Sequence, residues 1–116
     1  MLNQSAELDR LFHALADPAR RAMVERLSRG PAAVSELAAP LPMSLPSAMQ
    51  HLGVLEAAGL VRSAKAGRVR TCAIEPDRLS LAVQWIYARR TEWAHRLDRL
   101  GAYLKTLEHE GDEDVS

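Results

Sequence analysis

The chain has 116 residues, of which 47% are apolar and 26% are charged. This balance is typical of a folded protein with one modest core, and it excludes a disordered chain or two large independent domains. The formal net charge is zero, but residues 18–70 carry eight basic side chains against three acidic ones, a local net charge of +5 that suits a polyanionic partner.

Two helices are predicted at the start of the chain. Apolar residues at helical spacing predict a first helix over residues 6–15, with Leu8 and Leu11 on its apolar face. Asp17 followed by Pro18 is a helix cap followed by the residue best suited to a first helical position. The second helix therefore begins at Pro18.

A short helix and a longer capped helix follow. The segment "SELAA" predicts the short helix, which two nearby prolines end. Ser44 is placed to cap the next helix, and Gly59 to end it. On a helical wheel the inward face of this fourth helix consists of Ala48, Leu52 and Leu55. The opposite side carries Ser47 and Gln50, with His51 at its edge.

The period of the sequence then changes from that of a helix to that of a strand. Residues 60–75 alternate on either side of Ala66-Gly67, which predicts a two-stranded β-hairpin. Four basic residues lie on this hairpin, with no acidic residue between them: Arg62, Lys65, Arg68 and Arg70.

A long helix is predicted over residues 79–108, and residues 109–116 are predicted to form a disordered acidic tail behind a single domain of residues 1–108. Apolar residues follow 4-3-4-3 spacing along the helix, among them Val83, Ile86, Trp93, Leu97, Leu100 and Leu104. A helix of about 30 residues extends ~45 Å, more than so small a body covers. The seam therefore predicts a dimer interface, shared with Leu8 and Leu11 of the first helix. The alternative is that the seam packs on the core of its own chain.

This order of elements predicts a mainly α fold, a winged helix-turn-helix of about five helices with a two-stranded wing. In such a unit the short helix packs across the start of the fourth helix, so that the outer face of the fourth helix enters a DNA major groove. Ser and Gln bond base edges, and basic residues of a wing bond phosphates. The predicted DNA contacts are Ser44, Leu45, Ser47, Met49, Gln50, His51, Lys65, Arg68 and Arg70.

The strings "ALADPARRAMVERL", "VSELA" and "MSLPSAMQHLGVLEAAGLV", followed by the basic hairpin, resemble the arsenic-repressor-like (ArsR) family of small bacterial transcriptional repressors. The resemblance covers roughly residues 8–75 and implies a homodimer that binds operator DNA. The chain departs from the family pattern at Leu45 and Met49, where members often have polar residues. We expect that apolar contact with thymine methyl groups replaces hydrogen bonding at these positions, or that the base contacts shift to Ser47 and Gln50.

Several other functions find little support in the sequence. The cysteine-rich metal motif of the family would fall at "AVSELA", which has neither cysteine nor histidine, so no metal and no cofactor are predicted. No set of catalytic side chains is present, so the protein is predicted not to be an enzyme. The lone Cys72 and the lack of a long apolar run predict a cytoplasmic protein without a membrane partner.

Two questions stay open at this point. A winged-helix module that uses the same face to bind a protein is the alternative to DNA binding. The sequence also leaves open whether a small-molecule effector exists, and whether Trp85, Tyr87 and Tyr103 flank the seam or line a ligand pocket.

Overall fold

The computed structural model describes the backbone of residues 2–115 and the side chains of residues 6–110. The elements in chain order are α1 (Leu2–Leu15), α2 (Pro18–Leu27), β1 (Ala32–Ala33), α3 (Val34–Ala38), α4 (Leu45–Ala57), β2 (Val61–Ala66), β3 (Val69–Ile74) and α5 (Pro76–Val115). The chain forms two compact units, one up to Ala82 and the other from Val83 onwards. The five helices agree with the predicted fold class.

The helix ends follow the capping residues of the sequence. Asp17 caps α2, since its Oδ2 accepts a hydrogen bond from the backbone N–H of Arg20 at 3.0 Å. Ser44 caps α4, since its Oγ accepts from the N–H of Ser47 at 3.3 Å. Gly59 follows the end of α4 with φ +77°, a left-handed conformation that glycine adopts without strain. These predicted boundaries are confirmed.

The sheet has three antiparallel strands in the order β1-β3-β2, where the sequence predicted two. The additional strand, Ala32–Ala33, pairs with Cys72 and Thr71 of β3. Two residues are too short to show the alternation that identifies a strand, which explains why the sequence pattern missed it. The hairpin turn contains Gly67 with φ +63° at the first of its two loop positions, as a type II′ turn requires.

The core lies in the unit that ends at Ala82. Its fully buried side chains come from helices and sheet alike: Leu11, Met23, Leu27, Leu37, Leu55, Leu60 and Cys72. The assignment of Leu11 to a dimer interface is therefore wrong, because this side chain is 0% exposed within its own protomer. Leu8 is partly buried against the same core. The helical spacing identified the apolar face of α1 but not which partner covers it.

Helix α5 is longer than predicted, because it begins at Pro76 and extends to Val115. It therefore includes residues 109–115, which the sequence predicted to be a disordered tail. No proline follows Pro76, so no residue removes a backbone donor from the helix beyond that point. The apolar seam is solvent-exposed, and Val83, Ile86, Trp93, Leu97, Leu100 and Leu104 are each between 50% and 62% exposed.

Candidate nucleic-acid interface

The outer face of α4 is exposed at its first turns and carries both polar and apolar side chains. Ala48, Leu52 and Leu55 are buried as predicted, while Gln50 is exposed and makes no hydrogen bond within the described part of the chain. The amide of Gln50 is thus available to an external partner, and an amide bonds adenine at two positions.

The two serines at the start of α4 bond each other. Ser44 Oγ donates to Ser47 Oγ at 3.1 Å and also accepts the N–H of Ser47. The hydroxyl proton of Ser47 is left for an external acceptor. Ser44 acts mainly as the helix cap, so its predicted DNA contact is secondary to this local role.

His51 is held inside the protein on one side of its ring. Nη1 of Arg20 lies 3.2 Å from His51 Nδ1, and Asp17 Oδ2 lies 3.7 Å from the same nitrogen. An arginine only donates, so in the neutral imidazole that bonds Arg20, Nδ1 is the acceptor and Nε2 carries the proton. The His51 side chain is 24% exposed, so a contact with DNA is left to Nε2–H.

Two arginines in the first turn of α2 bond the end of the preceding helix. Arg20 Nε donates to the carbonyl of Ala14 at 2.7 Å and Arg20 Nη2 to that of His13 at 3.1 Å, while Arg21 Nη1 donates to Leu15 at 2.8 Å. Positive charge is unfavourable at a helix N-terminus but favourable at a C-terminus. The two guanidinium groups therefore serve the C-terminal carbonyls of α1 and are not part of the candidate interface.

The wing presents basic side chains close together. Lys65 on β2 is directly opposite Arg70 on β3, so two positive side chains lie on one face of the hairpin. Like charges in such a pair destabilise the hairpin. Lys65 and Arg68 make no hydrogen bond or ion pair with any described residue. Both are exposed, which suits them to a phosphate backbone.

Two other wing arginines have partners within the protein. Arg70 Nη1 donates to Ser63 Oγ at 2.9 Å, and Ser63 Oγ donates to Glu56 Oε1 at 2.5 Å. This chain of hydrogen bonds connects the wing to the last turns of α4. Arg62 Nε lies 3.1 Å from Glu75 Oε1 in an ion pair. Of the predicted phosphate contacts, Arg70 is thus partly engaged, whereas Lys65 and Arg68 are not.

A cleft of about 340 Å³ separates the start of α4 from the wing. It brings together predicted contacts from both elements, together with residues that the sequence analysis did not assign. The lining residues are Ala33, Val34, Ser35, Leu45, Met49, Lys65, Arg68, Val69 and Arg70. Val69 was not among the predicted contacts, although a large apolar residue next to a hairpin turn is a sequence feature that could have indicated it.

Gly53 occupies an exposed position in the middle of α4. A Cβ atom added there would meet no heavy atom within 4 Å. Glycine weakens a helix relative to alanine by about 0.5–1 kcal/mol, and no packing within the protein requires it here. On a helical wheel Gly53 lies between Met49 and Gln50, on the outward face.

Other chemistry is not indicated by the described residues. Within residues 6–110 no three His, Cys, Asp or Glu side chains are grouped to hold a metal ion. Cys72 is buried, and burial raises the pKa of its thiol, with the nearby charge of Glu56 adding to the effect. None of the described helices is both long enough and apolar enough to span a membrane.

The fold and this surface together define a DNA-binding protein of the winged helix-turn-helix class. A family model described as a helix-turn-helix domain matches residues 15–64. The chain is 44% identical over 110 residues to the HTH-type transcriptional regulator Rv2034 of Mycobacterium tuberculosis, covering 90% of this chain and 92% of that one. It is 31% identical over 88 residues to the biofilm growth-associated repressor of Agrobacterium fabrum, covering 76% and 75%.

A solved structure extends the comparison to the fold. The crystal structure of the ArsR family transcriptional regulator RHA00566 superposes with a TM-score of 0.74 at 50% sequence identity, covering 78% of this chain and 93% of that one. The chain belongs to the ArsR family of winged helix-turn-helix proteins and is a DNA-binding transcriptional regulator. Because its outer face is the candidate DNA contact, we refer to α4 as the candidate recognition helix, or recognition helix for short.

Proposed function

We propose that the protein is a repressor that binds an inverted-repeat operator as a homodimer. The observation that carries the proposal is the presence of two exposed surfaces of different chemistry. One is the outer face of α4, with the polar side chains Ser47 and Gln50, together with the basic wing, and the other is the apolar seam of α5. The first suits DNA, and the second suits a second copy of the chain.

The seam supports a dimer on energetic grounds. Six large apolar side chains at coiled-coil spacing are each at least half exposed. A contiguous exposed apolar surface of this kind marks a protein interface. A two-fold dimer buries the same residues from both chains and presents two recognition helices, which meet successive major grooves when they are ~34 Å apart.

The contacts divide into base and phosphate contacts. Gln50 and Ser47 bond base edges through their available amide and hydroxyl groups, whereas Lys65 and Arg68 bond phosphates. Repression follows when the dimer occupies DNA that the polymerase needs. One relative of the chain is itself named a repressor, which supports this direction of control.

Selection from a pool of random DNA duplexes tests the proposal. We expect enrichment of an inverted repeat whose half-sites are centred about 10 base pairs apart, one helical turn. Gln50→Ala is expected to weaken binding to the selected duplex by ~1–3 kcal/mol and to leave binding to random DNA nearly unchanged. Equal losses on both duplexes would show that Gln50 does not contact a base.

The salt dependence of binding separates DNA binding from the alternative of a protein-binding module. Phosphate contacts release counterions, so the logarithm of the affinity falls steeply with the logarithm of the salt concentration. An interface with an apolar core weakens little over the same range. Failure to enrich any sequence, together with a shallow salt dependence, would contradict the proposal.

A further inference from the structure

Three large apolar side chains line the cleft between the recognition helix and the wing, and all three are exposed to solvent. Leu45 and Met49 lie one turn apart on the same side of α4 and are 54% and 43% exposed, and Val69 of the wing is 53% exposed. Single exposed apolar residues are ordinary on a protein surface, but three large ones around one cleft are not. These three side chains therefore form a surface suited to apolar groups of a partner.

The same cleft is also lined by basic residues. Lys65, Arg68 and Arg70 line it together with the three apolar side chains. A partner must then combine apolar groups with negative charge. The edge of DNA at the major groove does so, because phosphates flank the groove and each thymine places a C5-methyl group within it.

We infer that Leu45 and Met49 recognise pyrimidine C5-methyl groups, so that the specificity of this regulator depends on thymine methyls. This inference rests on the proposed operator binding and deepens it. The side chains of Leu45 and Met49 have no donor or acceptor suited to a base edge. A thymine methyl is the major-groove feature that distinguishes a base by apolar contact alone, so their partner on DNA is defined by chemistry.

The arrangement also assigns different roles to neighbouring residues. Gln50 lies one position beyond Met49 on α4 and supplies directional hydrogen bonds, which distinguish bases by their donors and acceptors. Leu45 and Met49 supply contact without direction. The wing residues Lys65 and Arg68 hold the phosphates and contribute to all sequences alike.

Replacing thymine with uracil in the selected duplex tests the inference. Uracil keeps the base pair and the O4 acceptor and removes only the methyl group. Loss of one buried CH₂-sized group predicts about a fourfold weaker affinity per half-site, and about 15-fold when both half-sites contribute. Single thymine-to-uracil replacements should confine the loss to one or two positions per half-site.

Two variants make the test specific to the cleft. A protein with Leu45→Ala and Met49→Ala is expected to bind the thymine and uracil duplexes with equal affinity. Because both side chains are exposed, the two substitutions should leave the fold intact. Arg68→Ala is the matched control, since it should weaken both duplexes equally and preserve the ratio between them.

The outcomes separate this inference from the proposed function. If selection enriches an inverted repeat and wild-type protein binds its thymine and uracil forms equally, the inference is overturned while operator binding stands. A uracil effect that persists in the Leu45→Ala, Met49→Ala variant would assign the methyl contact elsewhere and also overturn it. If selection enriches no sequence, the proposed function fails, and this inference fails with it.

Discussion

Nη1 of Arg20 lies 3.2 Å from Nδ1 of His51, which connects the first turn of α2 to the middle of the recognition helix. The same guanidinium donates to the carbonyls of His13 and Ala14 at the end of α1. One side chain therefore joins three helices. Arg20 thus connects the recognition helix to α1 and α2 from a position outside the candidate DNA-binding face.

Replacing this arginine tests its structural role. Arg20→Ala removes several hydrogen bonds of a charged donor and should lower the free energy of unfolding by about 1–3 kcal/mol. Arg21→Ala is the control, because Arg21 makes a single side-chain bond, to Leu15, and should cost less. Urea unfolding of both variants measures the difference. Equal losses would show that the connection to His51 contributes nothing.

The stability of the protein should depend on pH through Asp17. The backbone N–H of Arg20 donates to this carboxylate and lowers its pKa below the ordinary value, and His51, when protonated, acts in the same direction. A carboxyl whose pKa is lower in the folded than in the unfolded state stabilises the fold fully above the unfolded pKa of about 3.9. That contribution is lost as the pH falls through the folded pKa.

Asp17→Asn isolates this pH dependence, because asparagine still caps a helix but does not titrate. The free energy of unfolding of wild-type protein should exceed that of the variant near pH 7, and the difference should shrink on acidification to about pH 3. Urea unfolding at both pH values measures it. A difference that stays constant between the two pH values would mean that the charge of Asp17 does not contribute to the free energy of unfolding.

Gly53→Ala should stabilise the fold and weaken operator binding. The added methyl meets no atom of the protein, so the helix gains about 0.5–1 kcal/mol and the melting temperature rises by a few degrees. The same methyl lies on the face proposed to approach DNA, where it should obstruct close contact. Thermal unfolding and operator titration measure the two effects.

Gly101→Ala provides a matched control, because Gly101 is also helical and a Cβ there meets nothing within 4 Å. It lies on α5, outside the recognition helix, and should raise the melting temperature without affecting the operator. If Gly53→Ala binds the operator as well as wild-type protein does, Gly53 is not a point of close approach.

Arg68→Ala should weaken binding to all duplexes. We expect the slope of log affinity against log salt to become shallower by about one unit for each phosphate that Arg68 no longer neutralises, counted over both wings of the dimer. Arg62→Ala is the control, because Arg62 already pairs with Glu75 and should change the slope less. An unchanged slope for Arg68→Ala would show that Arg68 does not contact a phosphate.

Leu100→Glu should convert the proposed dimer to a monomer. The substitution places an unpaired charge in the apolar seam, at a cost of several kcal/mol, and operator affinity should fall at least ~100-fold because one half-site is held alone. Ala102→Glu introduces the same charge on the opposite side of α5 and should remain dimeric. Analytical ultracentrifugation with operator titration measures both, and a dimeric Leu100→Glu protein would place Leu100 outside the interface.

Features set by neighbouring residues in the sequence were predictable. Asp17 and Ser44 cap their helices, and Gly59 ends one, because capping involves backbone groups only a few residues away. The buried face of α4 followed from helical periodicity for the same reason. The bounds of α4 and the position of the basic hairpin could thus be predicted.

Features that depend on distant residues were not predictable in the same way. The hydrogen bond between Arg20 and His51 joins residues 31 positions apart, and the sequence pattern around neither residue predicts it. Leu11 was assigned to an interface because periodicity shows that a face is apolar without showing what covers it. The cleft could not be predicted from local sequence, because it forms only when the start of α4 and the hairpin come together.

The pairing of Lys65 with Arg70 across the hairpin gives the wing two opposite responses to ionic strength. Added salt screens the repulsion within the pair and so stabilises the unbound hairpin, while it weakens the attraction of the same side chains for phosphates. Arg70 is connected to Glu56 through Ser63, whereas Lys65 has no acidic partner among the described residues, and a DNA phosphate would supply one. Part of the driving force for DNA binding would then be the relief of a repulsion already present in the unbound protein.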